Sequence, residues 1–269
     1  MIRWLNRHRW AMPSVEGAVL AYLLFGPLWN DLLSWPAALS VLLVGAVTVA
    51  AQTSLLHSEE HQALSAFDEC APEALEQFCR EVSALYPPRR KSDRQMWLGM
   101  KLNEAAALSD LGERGRAESV LQELEPWLEG ERYPVFHANF QLSRAALALQ
   151  RERPGEAAPL LRQAEETLRG VRLPADTESR WDDALAGARW ECDFLNDGAS
   201  EALLDQALHR VSAARTLRLQ VAARLDAGRC LLGLHRPAEA RPYLEFAAAR
   251  GGRTDSAQQA RQLLNSLRP

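Results

Sequence analysis

The chain has 269 residues, a formal net charge of −4 and a pI near 5.9. No strongly basic domain is present, which argues against nucleic acid as the main ligand. Alanine, leucine, glutamate and arginine dominate, and no stretch alternates with period two, so the expected fold is all-α with almost no strand.

Residues 1–56 read as a membrane anchor of two transmembrane helices, about 12–33 and 35–56. Arg3, Arg7 and Arg9 precede an apolar run, Val15 to Trp29, that carries only Glu16 near its start. That glutamate reads as interfacial, with a buried proton-relay role as the alternative. Pro36 to Leu56 holds no charged residue, a length that spans the hydrocarbon layer. Trp4, Trp10, Trp29 and Trp35 fall where aromatic belts sit at the two interfaces. Trp10 to Trp29 covers about 28 Å of helix at roughly 1.5 Å per residue. Gly17 with Ala21, and Ala46 with Ala50, give spacings that suit close helix packing.

Positive residues before an even number of spans place the amino terminus and the rest of the chain on the cytoplasmic side of the cell membrane. The alternative is that the first segment is a cleaved signal peptide, with an exported domain tethered at the outer face.

Residues 57–91 form a juxtamembrane helical linker or cap. His57 to Glu69 continues the second span as a helix, and Pro72 restarts one that runs to about Leu85, before Pro87-Pro88. His57 and His61 lie four apart on one face and could share a metal, but Ser58 stands where the zinc-protease pattern needs glutamate. No third ligand is identifiable, so neither a metal nor a cofactor is expected. Arg89-Arg90-Lys91 reads as a solvated loop.

Residues 92–269 read as helix pairs: 93–112 with 114–129, 134–151 with 154–169, 177–196 with 200–214, and 216–234 with 237–250. A last helix at 255–267 would cap them. In the clearest unit, Val221, Leu225, Gly228 and Leu232 share one helical face. Leu234-His235-Arg236 connects to a helix opened by Pro237, with Ala240, Tyr243, Leu244 and Ala247 inside and Gly251-Gly252 at its end.

Gly228, Ala240 and Leu244, spaced twelve and four apart, resemble the signature of the tetratricopeptide repeat (TPR) family: a small residue in the first helix, then an alanine and a large apolar residue in the second. Ala145, Ala157 and Leu161 repeat it, as do Ala105, Ala117 and Leu121. Ala202 with Gln206 and Ala74 with Phe78 are poorer copies. The alanine anchors 74, 117, 157, 202 and 240 are spaced 43, 40, 45 and 38 apart, longer than the family's period of about 34. The resemblance implies an α-solenoid of antiparallel helix pairs whose first helices line a groove for a protein partner. On that register Asn139, Ser143, Arg189 and Arg229 are the candidate partner-binding residues. The lysine set of the family's carboxylate clamp is missing. Arginine makes paired bonds to carboxylates through its planar fork, so Arg189 and Arg229 point to an acidic or carboxylate-bearing partner segment.

No catalytic constellation stands out. Glu165-Glu166 and Asp182-Asp183 are sequence neighbours that point apart on a helix. Gly112-Glu113-Arg114-Gly115 lacks the lysine of a phosphate loop, and there is no nucleophile elbow. The expected function is therefore a non-catalytic, membrane-anchored protein–protein interaction scaffold, touching lipid through residues 1–56 and binding no nucleic acid. The alternative is a ligand sensor, or an accessory subunit of a membrane enzyme or transport complex.

Overall fold

Every regular element in the computed structural model, which describes residues 54–88, 91–129 and 132–267, is a helix. The chain divides into two compact units, 1–62 and 63–269. Among the described residues no helix is long and apolar enough to cross a membrane. The expected anchor lies outside the described residues, apart from 54–56.

Helix α1 covers 54–68, followed by α2 (Pro72–Leu85) and α3 (Lys91–Asp110). Next come α4 (Arg114–Leu128), α5 (Pro134–Gln150), α6 (Pro154–Leu168) and α7 (Ala175–Asp197). The chain ends with α8 (Glu201–Ala213), α9 (Leu217–Gly233), α10 (Pro237–Arg250) and α11 (Asp255–Ser266).

Local chemistry sets most of these starts. Pro72, Pro134, Pro154 and Pro237 each open a helix, where a missing N–H is no loss and φ is already helical. At three of the other starts hydroxyls cap, whereas α4 and α7 begin without a side-chain cap. Ser200, Thr216 and Thr254 accept from the backbone N–H of Leu203, Leu219 and Ala257.

One three-residue turn recurs between helices, at 69–71, 111–113, 151–153 and 234–236. Its middle residue takes a positive φ each time: Cys70 (64°), Gly112 (74°), Glu152 (57°) and His235 (60°). The third residue's N–H then reaches back five positions, as in Glu113 to Leu108 (2.9 Å), Arg153 to Ala148 (2.9 Å) and Arg236 to Leu231 (2.8 Å). That bond satisfies a carbonyl the helix end would otherwise orphan, and so fixes how each second helix folds back on its first. The turn after α7 differs, because its positive φ falls on the first residue, Gly198. The buried register shifts there. Ala202 is exposed, while Leu203 and Ala207 are buried, so the alanine anchor expected at 202 is corrected to Leu203.

The other anchors Ala117, Ala157 and Ala240 are fully buried and Ala74 is half-buried; of the small residues twelve before, Ala145 is fully buried and Ala105 nearly so. Gly228 is small for a visible reason: a Cβ there would lie 2.5 Å from Leu244 Cδ2. Ala240→Leu overpacks the same crossing. We expect a loss of about 1–3 kcal/mol in unfolding free energy, read from the shift of the denaturation midpoint, and an unchanged midpoint would mean that the crossing is not tight.

First helices neighbour one another in succession: α3 packs on α5, α5 on α7, α7 on α9 and α9 on α11. The succession then closes, because α11 also packs on α3. A linear repeat array has contacts only between neighbouring units, and this domain departs from that. Arg218 lies 4.5 Å from the Phe67 ring and 3.8 Å from Asp110, and Arg180 pairs with Asp68 at 2.9 Å. Cys70 packs in the apolar cluster of the last two pairs. Residues 255–266, expected as a plain cap, therefore join the two ends of the domain.

Candidate functional site

The return of α11 creates a recess of about 350 Å³ at one end of the first helices. Arg114, Arg151, Arg229, Glu152 and Glu191 bring charge to it. Gln150, Gln259 and Gln262 bring amides, and Leu149 is the apolar member. These residues come from α4, α5, α7, α9, α11 and the turn after α5, so no single segment of the sequence carries the site.

Two of the arginines are already engaged. Arg151 gives both terminal nitrogens to Glu118, at 3.1 and 2.6 Å. Arg229 forks onto Glu191, with Nη2 2.9 Å from Oε1 and Nη1 on Oε2. Its guanidinium also lies 4.6 Å from the Phe194 ring. Paired planar geometry of this kind is the strong form of an arginine contact. Arg114 and Glu152, by contrast, make no ion pair with each other or with any other described residue. Gln150 Nε2 donates to the Ser109 carbonyl at 3.0 Å, and its Oε1 is buried with no partner among the described residues.

Behind the recess a second pair ties α8 to α9. Arg210 Nη1 donates to Asp226 Oδ2 at 2.7 Å, with both side chains largely buried. Burial pushes the Asp226 carboxyl up to about 6, against the pull of Arg210.

The four sequence candidates separate. Asn139 and Ser143 are half-buried on α5 and make no side-chain hydrogen bond. They share a helical face with Gln150, at i, i+4 and i+11, so their stripe ends at the recess. Arg189 is exposed and pairs with Glu165 of α6. Of the four, only Arg229 lines the recess, and there it is held by Glu191 rather than left open for a partner.

His57 and His61 are exposed, and His57 lies 3.9 Å from Glu60. Among the described residues no group of three potential metal ligands is gathered. All four cysteines are buried thiols without disulfides. Burial raises the thiols of Cys70, to about 11, and of Cys192 and Cys230, which disfavours the nucleophilic thiolate.

The sequence reading missed Arg114, Gln150, Arg151, Glu152, Gln259 and Gln262. Each is an ordinary surface type, four at a helix end or turn and Gln259 and Gln262 within α11, and only the positions of distant helices group them. No protein-family model, curated protein or solved structure matches the chain. The class is therefore stated from the geometry alone: an all-α domain of consecutive helix pairs, closed by its last helix over a charged recess.

Proposed function

We propose that the chain is a membrane-anchored, non-catalytic scaffold whose TPR-like α-solenoid holds a protein partner along its first helices. Residues 1–56 provide the lipid anchor, with the amino terminus and the helix pairs on the cytoplasmic side. The observation that carries this reading is the side-by-side packing of successive first helices. Packing of this kind presents polar positions from separate pairs along one surface, which is how helical repeats bind extended segments. Asn139 and Ser143 are such positions, half-buried and without an internal hydrogen-bond partner.

The test uses the full chain in solubilised membranes, with cross-linking before recovery. The double variant Asn139→Ala with Ser143→Ala removes two polar groups that the fold does not use. We expect melting within about 1 kcal/mol of the parent, since surface changes away from networks cost little, together with weaker recovery of the cross-linked partner. Equal recovery would move the binding surface away from α5. Arg229→Ala is a poor probe for this purpose, because it leaves Glu191 unpaired inside the fold.

A further inference from the structure

We propose that Asp110, Arg218 and Asp255 form a proton-sensitive latch between the first and last helices of the domain, closed while Asp110 carries a proton and loosened when it ionises. This goes beyond the scaffold reading and does not depend on it.

The latch lies where the succession of helices closes on itself. One side of the seam is the end of α1, the turn 69–71, the end of α3 and the turn 111–113. The other side is the start of α9, the end of α10 and the start of α11. The two sides approach closely at two glycines. A Cβ at Gly252 would lie 2.8 Å from the Cys70 carbonyl oxygen, and one at Gly112 would lie 3.0 Å from Asp255 Oδ1.

The charges in this seam do not balance. Two of them act on Asp110: Arg218 of α9, and the like charge of Asp255 of α11. The arginine does not close on the carboxylate. Its Nη1 stops 3.8 Å from Asp110 Oδ2, beyond hydrogen-bond reach, while its guanidinium lies 4.5 Å from the Phe67 ring. Asp110 Oδ2 is buried and has no hydrogen-bond partner among the described residues. A buried carboxylate without a donor, and with a second carboxylate acting on it, is costly as an anion, and a proton removes both costs. Burial pushes the Asp110 carboxyl up, against the pull of Arg218 and with the help of Asp255.

The other elements around α3 do not restore the balance. Glu76 of α2 and Arg116 of α4 bind each other at 2.7 Å. From α5 comes the uncharged Gln150, bonded to the Ser109 carbonyl at 3.0 Å. The turn after α1 brings Glu69 and the Cys70 thiol, and Arg250 of α10 acts on that thiol.

In the closed state Asp110 holds its proton above the ordinary aspartate value of 3.8. Once the two sides separate, water hydrates the carboxylate and the ordinary value returns. Closure is therefore favoured fully below about pH 4, and weakens as pH rises through the closed-state value. Separation also carries Gln259 and Gln262 away from the recess they line, so the latch sets access to that end of the first helices.

Cys70 is a built-in reporter of the seam. It is a free thiol, 5% exposed, packed in the apolar cluster of the last two pairs. Opening uncovers it. The test follows labelling of Cys70 by 4,4′-dithiodipyridine on the full chain in detergent, read by peptide mass spectrometry. At each pH the rate for the denaturant-unfolded chain is divided by the native rate, which cancels the thiol's own titration and leaves a protection factor. Protection should fall about threefold or more between roughly pH 4.5 and 8. Asp110→Asn should flatten the profile and hold the higher protection at every pH. Asp255→Asn should raise protection near neutral pH about twofold or more, because Asp110 then loses its like-charged neighbour. Circular dichroism shows which variants are folded, and the parent profile decides the question even if Asp110→Asn is not. A flat parent profile would overturn the proposal. So would a slope that persists in folded Asp110→Asn, or one that Asp226→Asn removes, since the titration would then belong to the α8–α9 pair. None of these measurements involves a protein partner, so the scaffold reading stands or falls separately.

Discussion

Asp226→Ala should lower the unfolding free energy by about 3–5 kcal/mol, the usual cost of leaving one member of a buried ion pair alone. The Arg210 side chain is 18% exposed and that of Asp226 11%, so water cannot replace the lost partner. Arg210 also lies against bare backbone. A Cβ at Gly187 would sit 2.9 Å from its Nη2, so the guanidinium has little room to swing outward. Denaturant unfolding monitored by circular dichroism measures the loss, and a change below about 1 kcal/mol would mean that Arg210 finds solvent easily.

The same carboxylate gives a pH signature. Its folded value of about 6 lies above the ordinary aspartate value of 3.8. Between roughly pH 4 and 6 the folded state keeps a proton that the unfolded state has released. The group therefore stabilises the fold fully below pH 4, and that contribution is lost as pH rises through 6. Asp226→Asn removes the titration. The variant's stability should improve relative to the parent by roughly 1–3 kcal/mol from pH 4 to 7. A difference that is flat across this window would contradict the raised value.

Gly252→Val should cost about 2–4 kcal/mol, combining left-handed backbone strain with overpacking. Gly252 has a φ of +57°, and a Cβ there would lie 2.8 Å from the Cys70 carbonyl oxygen. Neither atom is the end of a flexible side chain, so the two turns must separate. The contact joins residues at opposite ends of the domain. Hydrogen exchange should therefore rise around both 66–75 and 250–266, with the middle pairs less affected. If exchange rose only beside residue 252, the closure would contribute little to stability.

Helix pairs were legible in the sequence to within about two residues. Prolines 134, 154 and 237, the hydroxyl caps and the apolar spacing are all local signals, and local signals fix where a helix starts and stops. Gly251-Gly252 was read correctly as an ending, but the roles divide. Gly252 takes the left-handed conformation, while Gly251, at φ −82°, is small because a Cβ would press on Ala257, Val221 and the Ala247 carbonyl. The recurring turn was not read from the sequence, and even Gly112 was placed in the helix expected over 93–112. Cys70, Glu152 and His235 hold the same positive φ without glycine, so no residue type advertises it. The register error at Ala202 has the same origin, since the turn at Gly198 shifts the next helix by one position.

By itself, then, the sequence determined an all-α fold for the described residues, the helix boundaries between 91 and 267, and the small residues at the helix crossings. Periodicity, proline and capping act over a few residues, and their physics is complete within one or two turns of helix. Tertiary structure alone decided that α11 packs back on α3, that Arg229 belongs to Glu191 and Arg210 to Asp226, and that Arg114 and Glu152 share a recess without pairing. Arg229 and Glu191 are 38 residues apart, and Arg151 and Glu118 are 33. At such separations every exposed arginine has several carboxylates to choose from in sequence. The choice is made by the angle at which each pair turns on the last, a quantity summed over the whole domain.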